Sequence, residues 1–290
     1  MIEVIIAEDT GFCYGVKRAI DLLNRRLKNK KEVFSLGPVI HNRLVGKELK
    51  GKGLKIVENP SQIKSELLVR CHGLHPVLIE EARKRKIKII DATCPFLRMV
   101  QRRIRYLVAN GYRVIIVGDS NHPEVKALAG FAHDEAIIID KSSKFKVKSL
   151  EFKKVGVVGQ TTINTREYHR IVTGLYKKLK PEEFLVFNTI CKITEKRQRE
   201  VGYLSRKVNF FLVLGSKESS NTRTLFELCR KKRPSFLIEE PSQIKEEWFT
   251  PIRDKSLTEP EGKVRVGLLS GTSTPGWLVK ETADTLAKLN

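Results

Sequence analysis

Short runs of β-branched and aliphatic residues alternate with longer amphipathic stretches along nearly all of the 290 residues, and this alternation constrains the fold most. The runs lie at 4–7, 33–36, 67–69, 87–90, 114–117, 155–158, 184–187, 210–214 and 264–269. Between them, segments such as 16–28 and 95–110 carry apolar residues at three- and four-residue spacing, the period of a helix packed on one face. Strands separated by helices imply parallel pairing, because a parallel pair needs a crossover connection and a helix is the usual one. The expectation is an α/β protein with its polar chemistry in loops at the carboxyl ends of strands, where helix N-termini offer free amides.

The strand-to-helix junctions repeat. Cys13, Cys94 and Cys191 each follow an apolar strand, each has a threonine one to three residues upstream (Thr10, Thr93, Thr189), and each opens a helical segment. Twenty-eight residues beyond each cysteine stand His41, His122 and Ser219, after turns that contain Gly37, Gly118 and Gly215. A third strand in each part ends in another polar loop: Arg70-Cys71-His72-Gly73, Gly159-Gln160-Thr161-Thr162 and Ser270-Gly271-Thr272-Ser273. The reading is three strand–helix–strand–helix–strand units near 14–94, 95–190 and 191–270, the first completed by residues 1–13 and 271–290. No low-complexity linker separates them, so they should pack closely around a common centre.

Composition narrows the partners more than the fold. With 41% hydrophobic and 30% charged residues, the chain is expected to bury a sizeable core. No apolar run reaches the ~20 residues of a membrane span, and Glu3, Glu8 and Asp9 spoil an N-terminal signal peptide. A soluble, cytoplasmic protein is the expectation. Fifty-five Lys and Arg against thirty-three Asp and Glu leave a net charge of +22. Such a field attracts nucleic acid, anionic membrane, acidic proteins or phosphorylated metabolites without choosing among them. The basic residues are spread out, as in Arg83-Lys84-Arg85-Lys86, Lys177-Lys178 and Lys231-Lys232-Arg233, so a surface suited to high temperature accounts for them equally well.

Five cysteines, at 13, 71, 94, 191 and 229, form no C-x-x-C pair, which argues against a disulfide framework and against a local zinc knuckle. Cys229 reads as part of a packed helix face, and Cys71, beside His72, as structural or redox-sensitive. If three parallel units turn their strand ends to one axis, Cys13, Cys94 and Cys191 come together as soft ligands for an iron–sulfur cluster, zinc or copper(I). Helix N-termini behind them favour the thiolate. Structural zinc asks for a fourth protein ligand, and a 4Fe–4S cluster usually has four cysteines, so three thiolates leave one iron open as a Lewis acid. Around that centre His41, His72, His122, Thr161, Thr162, Ser219, Ser220, Asn221 and Ser273 are hydrogen-bonding groups suited to a phosphate or diphosphate. No Walker A sequence is present. Glu124, in Asn121-His122-Pro123-Glu124, is the one carboxylate of the set. Locally it reads as an acid placed at a helix start behind an N1 proline. Enclosed in a dry site it would instead hold a proton at neutral pH.

Eight motifs stand in order along nearly the whole chain: Gly11-Phe12-Cys13-Tyr14-Gly15-Val16, Cys71-His72-Gly73, Asp91-Ala92-Thr93-Cys94-Pro95, His122-Pro123-Glu124-Val125, Gln160-Thr161-Thr162, Thr189-Ile190-Cys191, Gly215-Ser216-Lys217-Glu218-Ser219-Ser220-Asn221 and Gly271-Thr272-Ser273-Thr274-Pro275, with Ile40-His41-Asn42 besides. In these the sequence resembles the 4-hydroxy-3-methylbut-2-enyl diphosphate reductase family, also called IspH or LytB. The resemblance implies a cloverleaf of three pseudo-threefold-related α/β units around one 4Fe–4S cluster per chain, also met as 3Fe–4S. Cys13, Cys94 and Cys191 would be its ligands and its fourth iron would be open. It further implies the last step of the non-mevalonate isoprenoid pathway, in which two one-electron reductions remove an allylic hydroxyl as water and give isopentenyl and dimethylallyl diphosphate. Position by position, Glu124 would relay the proton, and Thr161 would orient the hydroxyl and that relay. His41, His72, His122, Ser219, Ser220, Asn221 and Ser273 would bind the diphosphate, with His122 close to the proton path.

The resemblance also implies an acidic electron donor such as ferredoxin or flavodoxin, which the positive field would steer. It implies no nucleic-acid or membrane partner, and a monomer. Cys71 stands where that family commonly has a small apolar residue, and the extra C-terminal domain of some relatives is not seen in the sequence. Two other readings stand beside this one. A non-redox dehydratase would turn over without an electron donor. An iron–sulfur regulator on duplex nucleic acid would bind with a steep salt dependence, although no DNA-binding motif is recognisable.

Overall fold

The computed structural model describes residues 2–29, 32–140, 152–249 and 263–289. Its elements in chain order are β1 (Ile2–Ile6), α1 (Tyr14–Leu27), β2 (Val33–Leu36), α2 (Arg43–Gly51), β3 (Leu54–Val57), β4 (Glu66–Val69), α3 (Pro76–Lys84), β5 (Lys88–Asp91), α4 (Pro95–Ala109), β6 (Arg113–Val117), α5 (Pro123–Gly130), β7 (Ile137–Ile139), β8 (Lys154–Gly159), α6 (Thr165–Leu179), β9 (Glu183–Val186), α7 (Lys192–Leu204), β10 (Phe210–Leu214), α8 (Ser220–Arg230), β11 (Ser235–Ile238), β12 (Val264–Ser270) and α9 (Gly276–Ala287). The strands form three four-stranded sheets, ordered β3-β2-β4-β5, β7-β6-β8-β9 and β11-β10-β12-β1, and the strand pairs are parallel. This is the α/β architecture of small parallel sheets that the alternation of runs implies.

Central strands are buried on both faces, as parallel sheets require. In β10, Phe210, Leu212 and Leu214 enter one apolar cluster, while Phe211 and Val213 enter another. In β6, Val114 and Ile116 face one cluster and Ile115 and Val117 the other. Each such side chain contributes roughly 1.5–3 kcal/mol relative to exposure, which pins the strand register and so the loops at the strand ends. Helix starts are equally specified. Pro95 and Pro123 occupy first-turn positions behind Cys94 and His122, and Ser219 Oγ accepts the Thr222 amide at 3.4 Å.

The chain divides into two compact units, one of residues 1–13, 41–44 and 192–290, the other of residues 14–40 and 45–191. One sequence expectation is corrected here. Residues 1–13 and 271–290 do not complete the 14–94 part: β1 pairs with β12 in register from Ile2↔Val264 to Ile6↔Leu268, and α9 packs on β1. The reason lies in the repeat itself. The sheets of 33–91 and 113–186 each own a fourth strand, β5 or β9, that runs up to a cysteine, whereas among the described residues of 192–270 the third sheet has no such strand of its own and takes β1, which runs up to Cys13. Residues 14–40 and 45–191 group into one compact unit, within which the sheets of 33–91 and 113–186 stay separate, as the three-part reading has them. Cys94 leads directly into α4, and α3 packs against α5, with the His75 ring lying over Gly130. Among the described residues no helix is long and apolar enough to cross a membrane.

Candidate active site

In the unit of residues 14–40 and 45–191, the strand ends of two sheets carry Cys94, Cys191, His72, His122, Glu124 and Thr161. Cys94 precedes α4 and its amide donates to the Cys71 carbonyl at 3.1 Å. Cys191 precedes α7 and its amide donates to the Thr161 carbonyl at 3.0 Å. Neither cysteine is in a disulfide, and both are partly exposed. A Cβ at residue 15 would lie 2.8 Å from Cys94 Sγ, so Gly15 keeps the space beside that sulfur open. Cys71 is buried, as a structural reading requires.

Glu124 is the centre of this part. Only 2% of it is exposed. Its Oε1 accepts the Thr161 amide at 2.6 Å and its Oε2 accepts the Thr161 hydroxyl at 2.7 Å. Burial pushes the carboxyl above its ordinary range, against the two Thr161 hydrogen bonds that pull it down. The Glu124 amide donates to His122 Nδ1 at 3.2 Å, which places the proton of a neutral His122 ring on Nε2. The His72 and His122 rings meet edge to face with centroids 5.8 Å apart. Gln160, also buried, ties the loop down: its Oε1 accepts the Asp119 amide and its Nε2 donates to Thr162.

The unit of residues 1–13, 41–44 and 192–290 holds Cys13, His41, Ser219, Ser220, Asn221 and Ser273. The Cys13 amide donates to the Thr272 carbonyl at 3.1 Å, the same bond that Cys94 makes to residue 71 and Cys191 to residue 161. All three cysteines are thus held by the loop after the third strand of a sheet. Ser273 Oγ donates to the His41 carbonyl at 3.1 Å, and His41 Nδ1 lies 4.0 Å from Glu218. Asn221 is 2% exposed, and both atoms of its side-chain amide lack a hydrogen-bond partner among the described residues. The buried Thr222 hydroxyl is also unpartnered, in a space that a Cβ at residue 271 would enter to within 2.0 Å. Buried polar atoms left without partners mark a place for a polar ligand.

Sequence reasoning misses Arg197 and Thr222. Arg197 is buried and donates to the Ser270 and Gly11 carbonyls, both at 2.8 Å, fixing the loops that precede Ser273 and Cys13. A signal was available: Thr194, Arg197, Val201 and Leu204 share the buried stripe of α7, and an arginine on such a stripe needs acceptors. Cys229, by contrast, is a fully buried member of an apolar cluster, and burial pushes its thiol up. Among the described residues no group of three or more His, Cys, Asp or Glu side chains forms a site for a metal ion.

Strand-end thiols, a buried carboxyl raised above its ordinary range and unsatisfied amide and hydroxyl groups on a parallel α/β frame define an enzyme of the α/β class whose chemistry lies at strand carboxyl ends. The sequence profile described as LytB protein matches residues 4–287, and the chain belongs to that family. Among curated relatives, a 4-hydroxy-3-methylbut-2-enyl diphosphate reductase of Dictyoglomus thermophilum is 38% identical over 285 residues, covering 98% of this chain and 96% of its own. One of Geobacter sulfurreducens is 34% identical over 290 residues, covering 99% and 98%. A solved (E)-4-hydroxy-3-methyl-but-2-enyl diphosphate reductase, described as the terminal enzyme of the non-mevalonate pathway, is 33% identical. It superposes with a TM-score of 0.70 over 99% of this chain and all of that one. The Plasmodium falciparum reductase is 25% identical, with a TM-score of 0.87 over 97% of this chain and 86% of its own.

Proposed function

We propose that this protein reduces 4-hydroxy-3-methylbut-2-enyl diphosphate to isopentenyl and dimethylallyl diphosphate, the terminal step of the non-mevalonate pathway. The reaction replaces an allylic C–OH by C–H: two electrons and two protons enter, the C–O bond breaks, a C–H bond forms and water leaves. An iron–sulfur cluster is the cofactor of this family, and the chain's donor set suits it: three partly exposed cysteines outside any disulfide, each at a helix start, with Gly15 holding space beside the Cys94 sulfur. Cys13, Cys94 and Cys191 would hold it as a 4Fe–4S cluster with one iron free of protein ligands. When bound, it would supply single electrons and Lewis acidity.

The Glu124 carboxyl carries this reading. Burial without a cation holds its proton at pH values where an exposed glutamate has lost it, which a proton donor to a leaving hydroxyl requires. In the acid form, the 2.7 Å contact can run from the carboxyl O–H to Thr161 Oγ1, leaving the threonine hydroxyl proton free to meet the substrate's oxygen. His122, fixed by the Glu124 amide, would present its Nε2 proton to the diphosphate together with His41, His72, Ser219, Ser220, Asn221 and Ser273. Asn221 fits that role because its amide is already desolvated and unpaired. A cytoplasmic monomer reduced by an acidic donor protein completes the proposal.

The test is anaerobic turnover with reduced methyl viologen, counting electrons against product. Two electrons consumed per isoprenyl diphosphate formed is the expected result. Product without electron consumption would make the protein a dehydratase, and absence of product from iron-replete protein would overturn the assignment.

A further inference from the structure

Next to the Cys94 loop, α3 and α4 enclose a cavity of about 330 Å³ whose lining includes Arg83, Arg98, Arg102 and Arg105 together with Ile79 and Phe131. Arg98, Arg102 and Arg105 recur at i, i+4 and i+7 along α4 and so share a face. Like charges at that spacing repel, and little in the structure answers them. Asp91 is the one acid in the lining; one of its oxygens takes Arg98 at 2.8 Å and the other accepts the Thr93 amide at 2.9 Å. Arg83 reaches Glu80 on its own helix, Arg105 lies over the Phe131 ring, and Arg102 has no acidic partner among the described residues. Past Arg105, Pro76 and Phe131 the cavity gives way to a second of about 640 Å³ that shares those three residues and adds the exposed Val77. The result is a basic pocket beside a mostly apolar one, the pattern of an interface with charge at its edge.

The pocket's position selects its occupant. Asp91 and Thr93 form its wall at one end, and Thr93 is bonded directly to Cys94. Arg18 donates to the Thr93 and Asp91 carbonyls, so this short segment is held firmly. We propose that the cavity is the docking site of an acidic one-electron carrier protein, with acidic side chains seated among Arg83, Arg102 and Arg105, and that electrons enter through the Thr93–Cys94 end. The proposal rests on Cys94 being a cluster ligand. Each docking oxidises the carrier by one electron, and two dockings deliver the pair that the dehydroxylation consumes.

The experiment compares two donors on the loaded enzyme: a reduced acidic ferredoxin, and reduced methyl viologen, a small cation that arginines do not attract. The variants are Arg102→Glu with Arg105→Glu, Arg83→Glu as a second probe, and Lys177→Glu with Lys178→Glu on α6 as an equal charge change elsewhere. The double arginine variant should raise the KM for ferredoxin by roughly tenfold or more and flatten its dependence on ionic strength, while the viologen rate stays at the wild-type value. An unchanged ferredoxin KM overturns the docking site. So does an equal fall with both donors, or an equal effect of the α6 variant. Saturable binding of inorganic pyrophosphate that the arginine variants abolish, with ferredoxin kinetics untouched, would instead assign the pocket to a small polyanion. Wild-type enzyme inactive with viologen would defeat the functional reading itself, an outcome distinct from all of these.

Discussion

Among the described residues of the unit that carries Cys94 and Cys191, two carboxylates are buried, and their surroundings are opposite. Glu66, 5% exposed at the start of β4, faces cations: Lys88 Nζ lies 3.3 Å from one oxygen and Arg26 Nε 3.9 Å from the other. Glu124, 2% exposed, has no ion pair among the described residues and is met by the neutral amide and hydroxyl of Thr161. Charge answered by charge ties a strand edge together. Charge answered only by neutral donors in a desolvated place favours the protonated form, and a proton kept above the ordinary glutamate range can be given away. Burial alone therefore does not distinguish a structural acid from a chemical one; the partners do.

The largest expected effect separates the two by activity. Glu124→Gln should lower turnover by roughly 10²–10⁴-fold, the range for losing a positioned general acid, while iron and sulfide content stays at the wild-type level. Glu66→Gln should leave turnover close to wild type under the same anaerobic assay. Equal losses from both would erase the distinction. Next in size is stability. Glu66→Gln should cost about 1–2 kcal/mol, because the two cations it abandons are more than a third exposed and recover water. The denaturant midpoint measures this, and an unchanged midpoint would mean that the pairs contribute nothing. A subtler change is Thr161→Val, which removes the hydroxyl donor and leaves the amide. One of the two bonds that pull the Glu124 carboxyl down is lost, so its value rises further. The alkaline limb of the pH–rate profile should move to higher pH; an unmoved alkaline limb with the acid limb shifted to higher pH instead would mean that the ionised form is the working one.

These contrasts were only partly legible in the sequence. Glu124 stood out through its neighbours His122 and Pro123, yet local sequence favoured a helix-start acid, because dryness comes from residues as distant as Thr161. The strands at 33–36, 114–117 and 210–214 were readable since each is a fully buried run of apolar residues, interrupted only by Ser35 in the first. The strands β3, β7 and β11 were not, for one shared reason. Each is an edge strand of three or four residues, largely half-exposed, and too short for its apolar residues to show a period. The cysteine junctions gave the repeat, but its phase was misjudged at the termini: which sheet receives β1 is decided by pairing with Val264–Ser270, a long-range fact with no local signature.

The smallest expected effect concerns the sign of Glu124's contribution to stability, and it tests the proton-holding role without any substrate. In the unfolded chain the carboxyl ionises near its ordinary value of 4.5; in the folded protein burial raises that value. Between the two, the folded state binds more protons than the unfolded one, so stability must fall as pH rises. Glu124's contribution is therefore complete below the unfolded value and is lost as pH climbs through the folded one. Glutamine does not titrate. The stability of Glu124→Gln relative to wild type should be constant in acid, grow in the variant's favour across that window, and level off above it. Denaturant unfolding at a series of pH values reads this difference directly. A flat difference would mean that Glu124 ionises in the fold as it does in water, and the same desolvation that makes the variant the more stable protein would no longer explain why the wild type keeps its proton.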